Sequence, residues 1–226
     1  MKRNKLSIIV PVYNEDENVL NFVLKGLREI LDSEIIVVDD GSTYPVWNAT
    51  VMRRKNKGYG NAIKAGIRKA KGDYIAIIDA DAQYDVQDLQ RMWRELDTED
   101  MLIGKRICHQ GNFKRAIARI SAKIVASIAC MRYIPDLNSG LRIFRKGLAK
   151  SYSSILCDEF SFSTSLTMCF VLDGLKVKWT PIGFYPRQGN NSTVKMLRHG
   201  LIMLYQIIYL TVGLRTRKLR AWLRKQ

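Results

Sequence analysis

The chain has 226 residues, 47% of them apolar, which is enough for one large domain with a buried core. Lys and Arg outnumber Asp and Glu 37 to 21, and a formal charge of +16 calls for an anionic partner: nucleic acid, anionic lipid or a phosphorylated substrate. Cys108, Cys130, Cys157 and Cys169 have neither CxxC pairing nor a partnered histidine spacing, which argues against a zinc site or a disulfide framework and leaves reduced thiols. The charge is concentrated in a tail. Beyond Asp173 there are eleven Lys or Arg and no acid.

From the start, the apolar stretch Leu6 to Val12 is short, contains Pro11 and runs into acids, so it suits a first strand rather than a signal peptide, and no secretion is expected. SIIVPVYN (Ser7 to Asn14) reads as strand then turn, and Asn14 followed by Glu17 is an N-cap signature for a helix over Asp16 to Leu31. EIIVVDDGST (Glu34 to Thr43) reads as a second strand ending in acids and a glycine turn, and ATVMRR (Ala49 to Arg54) as a third. After KNKGYG, Gly60 to Ala70 is a helix with small residues on one face, and GDYIAIIDAD is a fourth strand. Its unbroken apolar run, Tyr74 to Ile78, fits a strand covered on both faces. Strands alternating with helices predict an α/β fold with a doubly wound, mostly parallel sheet.

Ligands of such sheets bind beyond the carboxyl ends of the strands. Here those ends carry Tyr13, Asn14 and Glu15, then Asp39 and Asp40, then Asp79 and Asp81, an acidic rim in a basic protein. Each acid alone could be a cap or a turn residue; three clusters on one edge repel unless a cation or a donor-rich ligand offsets them. Asp79, Asp81 and Gln83 alternate just past a strand, so their oxygens can point the same way. Oxygen-only donors suit Mg²⁺ or Mn²⁺, which share their coordination with substrate phosphates. No GxxxxGK[ST] loop is present, and KNKGYGNA lacks the setting of a dinucleotide fingerprint, so ATPase and dehydrogenase chemistry are poor fits.

SIIVPVYNEDEN, IIVVDDGST, NKGYGNAIKAGIRKAKGDYIAIIDADAQ and PDLNSGLRIFRK, in that order, resemble a family 2 glycosyltransferase of the GT-A fold. The chain is most similar to the dolichyl- or polyprenyl-phosphate sugar transferases, over roughly Leu6 to Thr193. The resemblance implies a GT-A domain over residues 1–195 and a tail over 196–226. Pro11, Tyr13 and Glu15 would line the base and ribose pocket, with Asp40 helping to hold the nucleoside. Asp79, Ala80 and Asp81 would be the DxD motif, with Asp79, Asp81 and Gln83 at a Mg²⁺ or Mn²⁺ ion that neutralises the donor diphosphate. Arg106 would meet the phosphates, and Arg187, in YPRQGNNST, would come from a loop closing over the donor. Asn138, Ser139, Gly140 and Arg142 would shape the acceptor side. Two departures stand out: only YPVWNATVMRR, with Pro45, separates DDGST from KNKGYG where the family has a helix, and FSFSTSLTM (Phe160 to Met168) carries hydroxyls where many relatives have a carboxylate.

An acceptor that is a phosphate monoester, with a second pKa near ~6, is already mostly dianionic at neutral pH and needs no general base. Its requirement is cationic positioning, which Arg106, Arg115, Arg119 and Arg142 offer; Arg115 and Arg119 equally fit a solvated basic helix face over Lys114 to Lys123. A sugar-hydroxyl acceptor would instead need a base such as Asp158 or Glu159.

The tail carries an apolar stretch, Leu201 to Leu214, of 14 residues, shorter than the ~20 that span a bilayer. With Arg215, Arg217, Lys218, Arg220, Trp222, Arg224 and Lys225 following, it suits an amphipathic basic helix in the headgroup region, or a helix packed on the core with a solvated end. The expected protein is peripheral, on the cytoplasmic membrane face, with a nucleoside-diphosphate sugar donor and a polyprenyl-phosphate acceptor. Two competing readings are a nucleic-acid-binding module, supported only by the tail cations with Trp179, Tyr185 and Trp222, and a scaffold on a degenerate transferase fold; no RNP, KH or zinc pattern is present and nucleic acid is not expected.

Overall fold

The computed structural model describes residues 5–107, 113–187 and 196–223, with side chains for 5–107, 120–187 and 198–217. In chain order the elements are β1 (Leu6–Val12), α1 (Glu17–Ile30), β2 (Glu34–Asp39), β3 (Val51–Met52), α2 (Tyr59–Lys69), β4 (Tyr74–Ile77), α3 (Val86–Glu95), β5 (Met101–Ile107), α4 (Phe113–Cys130), β6 (Arg142–Arg145), α5 (Lys146–Ser151), α6 (Phe162–Leu172), β7 (Val177–Gly183) and α7 (Met196–Leu223). The strands form one sheet in the order β3-β2-β1-β4-β6-β5-β7, parallel except for β6, which runs against both β4 and β5. The expected doubly wound α/β sheet is therefore present.

Both faces of the sheet are covered, which is why its central strands read as unbroken apolar runs. Ile9, Ile75 and Ile77 face one apolar layer with Ile36, Val38 and Ile63, beneath α2 and α4 to α7. Ile8, Val10, Tyr74, Ala76 and Ile78 face the other, beneath α1 and α3 through Leu20, Leu27, Leu89 and Met92. The alternation follows from the pleat, which sends successive side chains to opposite faces.

Two features of this topology create a site. The chain leaves β1 outward to β2 and β3, then returns on the other side as β4, so the order of strands reverses between the parallel β1 and β4, where loops diverge and leave a crevice. Because β6 is antiparallel, its amino end lies at the same rim as the carboxyl ends of β1 and β4; Arg142 pairs with Ile77. The segment Asn138 to Leu141 is thereby delivered beside Asp79.

Local details correct the sequence reading. The α1 cap is Asp16, whose Oδ1 accepts from the amides of Asn18 (2.9 Å) and Val19 (3.2 Å). Asn14 instead adopts φ +53°. Its Oδ1 accepts from Thr43 N (2.8 Å) and its N–H donates to Ser42 Oγ (2.9 Å), joining the turns after β1 and β2. No helix lies between β2 and β3. The short loop is held by Asp39, which accepts from Ser42 N (2.9 Å) and Val46 N (3.0 Å). Cys130, Cys157 and Cys169 are free thiols, and Cys108 lies outside the described residues. No helix among the described residues is long and apolar enough to cross a membrane.

Candidate active site

A cavity of about 730 Å³ opens at this rim, and its wall gathers Pro11, Tyr13, Glu15, Asp40, Asp79, Asp81, Gln83, Arg106, Asn138, Gly140 and Arg187 from the sequence expectations. Strand β4 ends at Ile77, so Asp79, Asp81 and Gln83 do not alternate along extended backbone. They lie in a turn bent by Ala82, a non-glycine residue at φ +55°. Such strained backbone is found where surrounding structure holds a functional geometry.

Asp79 is enclosed. Its Oδ1 accepts from Tyr59 Oη (2.9 Å). A β-carbon at Gly140 would lie 2.2 Å from its Oδ2, so only glycine fits there. Burial, and then the charge of Asp81, push the Asp79 carboxyl up to about 7. Asp81 and Glu15 are also raised, both chiefly by burial. Arg187 offsets this: its Nη1 donates to Asp81 Oδ2 (3.0 Å) and its Nη2 to Glu15 (2.6 Å). Gln83 fixes its own amide by donating from Nε2 to the Tyr185 carbonyl (3.1 Å), and its backbone N–H donates to Asp81 Oδ1 (3.2 Å).

These residues fit a hard divalent cation. The donors are oxygens, and the charge of Asp81, which helps to raise both Asp79 and Glu15, would be offset by a cation beside it. Among the described residues no group of three or more His, Cys, Asp and Glu could hold a metal ion; Mg²⁺ commonly keeps waters and shares its coordination with substrate phosphates.

Other expectations are corrected. Asp40 lines the cavity, but its carboxylate is committed to the wall: Arg53 donates to Oδ1 (3.0 Å), and Lys57 N (3.1 Å) and Gly58 N (2.8 Å) to Oδ2. This clamp forms the wall between β2 and α2, where no helix intervenes. Ala80 is buried among core residues and does not line the cavity. Arg142 is fully buried and cannot meet an acceptor phosphate. Its guanidinium donates to the carbonyls of Ser139 and Ser163 and to Thr167 Oγ1 (3.2 Å), and burial lowers its pKa to about 10. Ser139 is buried behind the wall too, with its hydroxyl unpartnered. The α6 hydroxyls of Thr164, Ser165 and Thr167 are likewise engaged in internal bonds. Arg106 remains on the wall, in a two-point pair with Asp136 (2.8 and 2.9 Å) and 5.2 Å above the Phe184 ring. Burial would raise Asp136, but this pairing outweighs it and holds the carboxyl below its ordinary range. Arg115 and Arg119 lie on α4, with side chains outside those described.

The sequence reading passed over Tyr59, Tyr84, Phe160, Phe184, Arg198 and His199, all on the cavity wall. The available signals were the aromatic inside KNKGYG and a histidine, one of two in the chain, at the head of the tail. Glu159 lines the cavity in an ion pair with Arg198 (2.8 Å), whereas Asp158 pairs with Lys64 (2.8 Å) and does not line it. Trp179 is half-buried and donates to the Asp136 carbonyl (2.8 Å) beneath Arg132.

Residues 7–153 match the family Glycosyl transferase family 2. The chain belongs to this family, and it is a glycosyltransferase of the GT-A fold. It is 26% identical to an uncharacterized protein of Methanocaldococcus jannaschii, over 92% of this chain and 93% of that one. It is 30% identical to the dolichol-phosphate mannosyltransferase of Pyrococcus furiosus, over 63% of this chain and 46% of the relative, so it spans about half of that protein's length. With the UDP-N-acetylglucosamine–dolichyl-phosphate N-acetylglucosaminyltransferase of Methanococcus voltae the identity is 26%, over 66% of this chain and 72% of the other. The crystal structure of glucosyl-3-phosphoglycerate synthase from Mycobacterium tuberculosis with Mn²⁺ and UDP has the same fold, at a TM-score of 0.65 and 18% identity over 93% of this chain and 80% of that one.

Proposed function

We propose that this chain transfers a sugar, with inversion, from a nucleoside-diphosphate sugar to the phosphate of a polyprenyl phosphate at a membrane surface. The observation that carries the acceptor class is that every carboxylate described on the cavity wall has a partner in the ligand-free protein, and the two that Arg187 would release, Glu15 and Asp81, are the ones this reading gives to the nucleoside and the metal. Glu15 and Asp81 hold Arg187, Asp79 holds Tyr59, Asp40 holds Arg53, and Glu159 holds Arg198. A hydroxyl acceptor needs one of them as a base; a phosphate dianion needs none. The names of the Pyrococcus and Methanococcus relatives support the same class.

In this reading a phosphate oxygen attacks the anomeric carbon as the bond from that carbon to the diphosphate oxygen breaks. The electron pair leaves with the nucleoside diphosphate, and no proton need be removed from the attacking group. Pro11, Tyr13 and Glu15 would flank the nucleoside, and Arg187 would turn from the acids to the diphosphate. Asp81 with Gln83, and Asp79 beside them, would hold Mg²⁺ or Mn²⁺. That ion supplies Lewis-acid stabilisation of charge on the leaving diphosphate. Residues 196–226 would lie on the membrane surface, with residues 1–195 as the catalytic unit.

The test begins with thermal-shift titration by UDP and GDP, with Mn²⁺ or EDTA, on wild type and Asp81→Asn. Metal-dependent stabilisation by one nucleotide, lost in the variant, is expected. Labelled donor should then transfer to a prenyl phosphate, and Glu159→Gln should retain that transfer. Transfer to a glycolipid hydroxyl that Glu159→Gln abolishes would favour the second reading, for which the place of Glu159 on the cavity wall is the supporting observation.

A further inference from the structure

The cavity has a second charged end, built by the first turn of α7. Arg198 and His199 line it beside Glu159 and Phe160. Arg198 pairs with Glu159 Oε1 (2.8 Å), and His199 Nε2 lies 3.9 Å from Oε2. His199 Nδ1 is buried with no hydrogen-bond partner. The imidazole meets the Phe160 ring edge-on (4.9 Å between centroids), and Phe160 stacks on Tyr59 (5.6 Å), whose hydroxyl reaches Asp79. Two ring contacts thus join this cationic end to the acids at the sheet rim.

Exposure separates Arg198 from the other arginines on the wall. The Arg106 and Arg187 side chains are 13% and 25% exposed and are held by carboxylates that are themselves little exposed, whereas Arg198 is 63% exposed. An incoming phosphate dianion brings more charge and more acceptor oxygens than the one Glu159 carboxylate it would compete with. The positive end of the α7 dipole adds field of the same sign.

Directly after this pair, α7 exposes Leu201, Leu204, Tyr205, Ile208, Tyr209 and Val212. Their three- and four-residue spacing makes a stripe that runs on from Arg198, while Ile207, Leu210 and Leu214 on another side pack into the core. An anion seat followed along one helix by an exposed apolar stripe matches one ligand class: a single anionic head on a long hydrocarbon chain. A small sugar phosphate would have no use for the stripe.

We infer that Arg198 and His199 seat the acceptor phosphate, with its lipid chain laid along the exposed face of α7, Leu201 to Val212. This rests on the proposed transfer to a lipid phosphate and assigns the acceptor seat to α7 in place of the buried Arg142 and Ser139.

The test uses geranylgeranyl phosphate as probe, with inorganic phosphate as a headgroup-only control, binding to the full chain in detergent. Wild type, the double variant Arg198→Gln/His199→Gln and the stripe variant Tyr205→Ser/Ile208→Ser are compared, alongside thermal shift by nucleotide with Mn²⁺. The headgroup variant should bind the prenyl phosphate at least tenfold more weakly with an unchanged nucleotide shift. The stripe variant should weaken the prenyl phosphate while leaving inorganic phosphate unaffected. Unchanged prenyl phosphate binding in the headgroup variant would overturn the assignment while leaving the proposed transferase intact. Inorganic phosphate binding as tightly as the prenyl phosphate would overturn the lipid-chain part. A wild type that binds nucleotide and metal but no prenyl phosphate overturns the seat and the acceptor class together; one that binds neither overturns the donor site as well.

Discussion

Arg187 bridges Glu15 and Asp81 on the cavity wall, with Nη2 2.6 Å from both Glu15 oxygens and Nη1 3.0 Å from Asp81 Oδ2. In the ligand-free protein the guanidinium thus holds the acids that a divalent cation would need. Arg187→Gln should therefore tighten binding of Mn²⁺ alone by about 3- to 10-fold, up to about 1.4 kcal/mol. The same change should lower turnover by about 10-fold or more, since a charge-assisted donor to the diphosphate is lost. Titration of free Mn²⁺ by electron paramagnetic resonance reads the first effect. Weaker Mn²⁺ binding in the variant would mean that Arg187 does not compete for the acids.

Asp79 links stability to pH. Burial, with the charge of Asp81 added, raises its folded carboxyl from 3.8 to about 7. Between these values the folded protein keeps a proton that the unfolded chain has released, so stability falls as pH rises through this window and levels above it. From pH 5 to 8 the ligand-free wild type should lose several degrees more in Tm than Asp79→Asn, at about 2–4 °C per kcal/mol for a chain of this size. Parallel curves for the two proteins would refute the assignment. Binding of Mn²⁺ with nucleotide should strengthen up to about pH 7, since the cation favours the ionised pair.

Arg142 should act on folding and not on acceptor recognition. Its guanidinium serves the Ser139 and Ser163 carbonyls and the Thr167 hydroxyl inside the wall. Arg142→Met keeps much of the volume but leaves buried acceptors unpartnered, a loss of about 2–4 kcal/mol. Urea unfolding should show this loss, and the folded fraction should keep the wild-type KM for prenyl phosphate. A raised KM at unchanged stability would return Arg142 to the acceptor site.

The sheet was legible because burial on both faces leaves a signature that survives without coordinates: Ile8 to Val12 and Tyr74 to Ile78 have no polar face. Glu15, Asp79 and Asp81 were legible because strand ends in a parallel sheet converge, whereas Arg187 was legible only through the family resemblance; the structure brings all four to one cavity. Arg142 misled for a physical reason: a basic residue inside a polar turn sequence looks exposed, and only the antiparallel entry of β6 reveals that it points under α6. Arg198 and His199 went unread since their place on the cavity wall depends on the packing of α7 against α6 and on the ring ladder through Phe160. No local spacing encodes a contact between residues 39 positions apart.

Gly140 offers the sharpest probe of Asp79. Its φ is not in the left-handed region, so alanine is acceptable to the backbone there, and the conflict falls on one carboxylate. The added carbon would lie 2.2 Å from Asp79 Oδ2 and 2.9 Å from its Cγ. The carboxylate must turn away, against the Tyr59 hydrogen bond on its other oxygen. Overpacking of this kind costs about 1–3 kcal/mol, while turnover should fall by about 100-fold if Asp79 must keep its orientation, since 1 Å misplacements have losses of that order. Pairing the change with Asp79→Ser separates the causes. With the carboxylate gone, Gly140→Ala should cost little further stability, giving a coupling of about 1 kcal/mol or more in a double-mutant cycle. Additive costs would show that the β-carbon meets some other part of the wall.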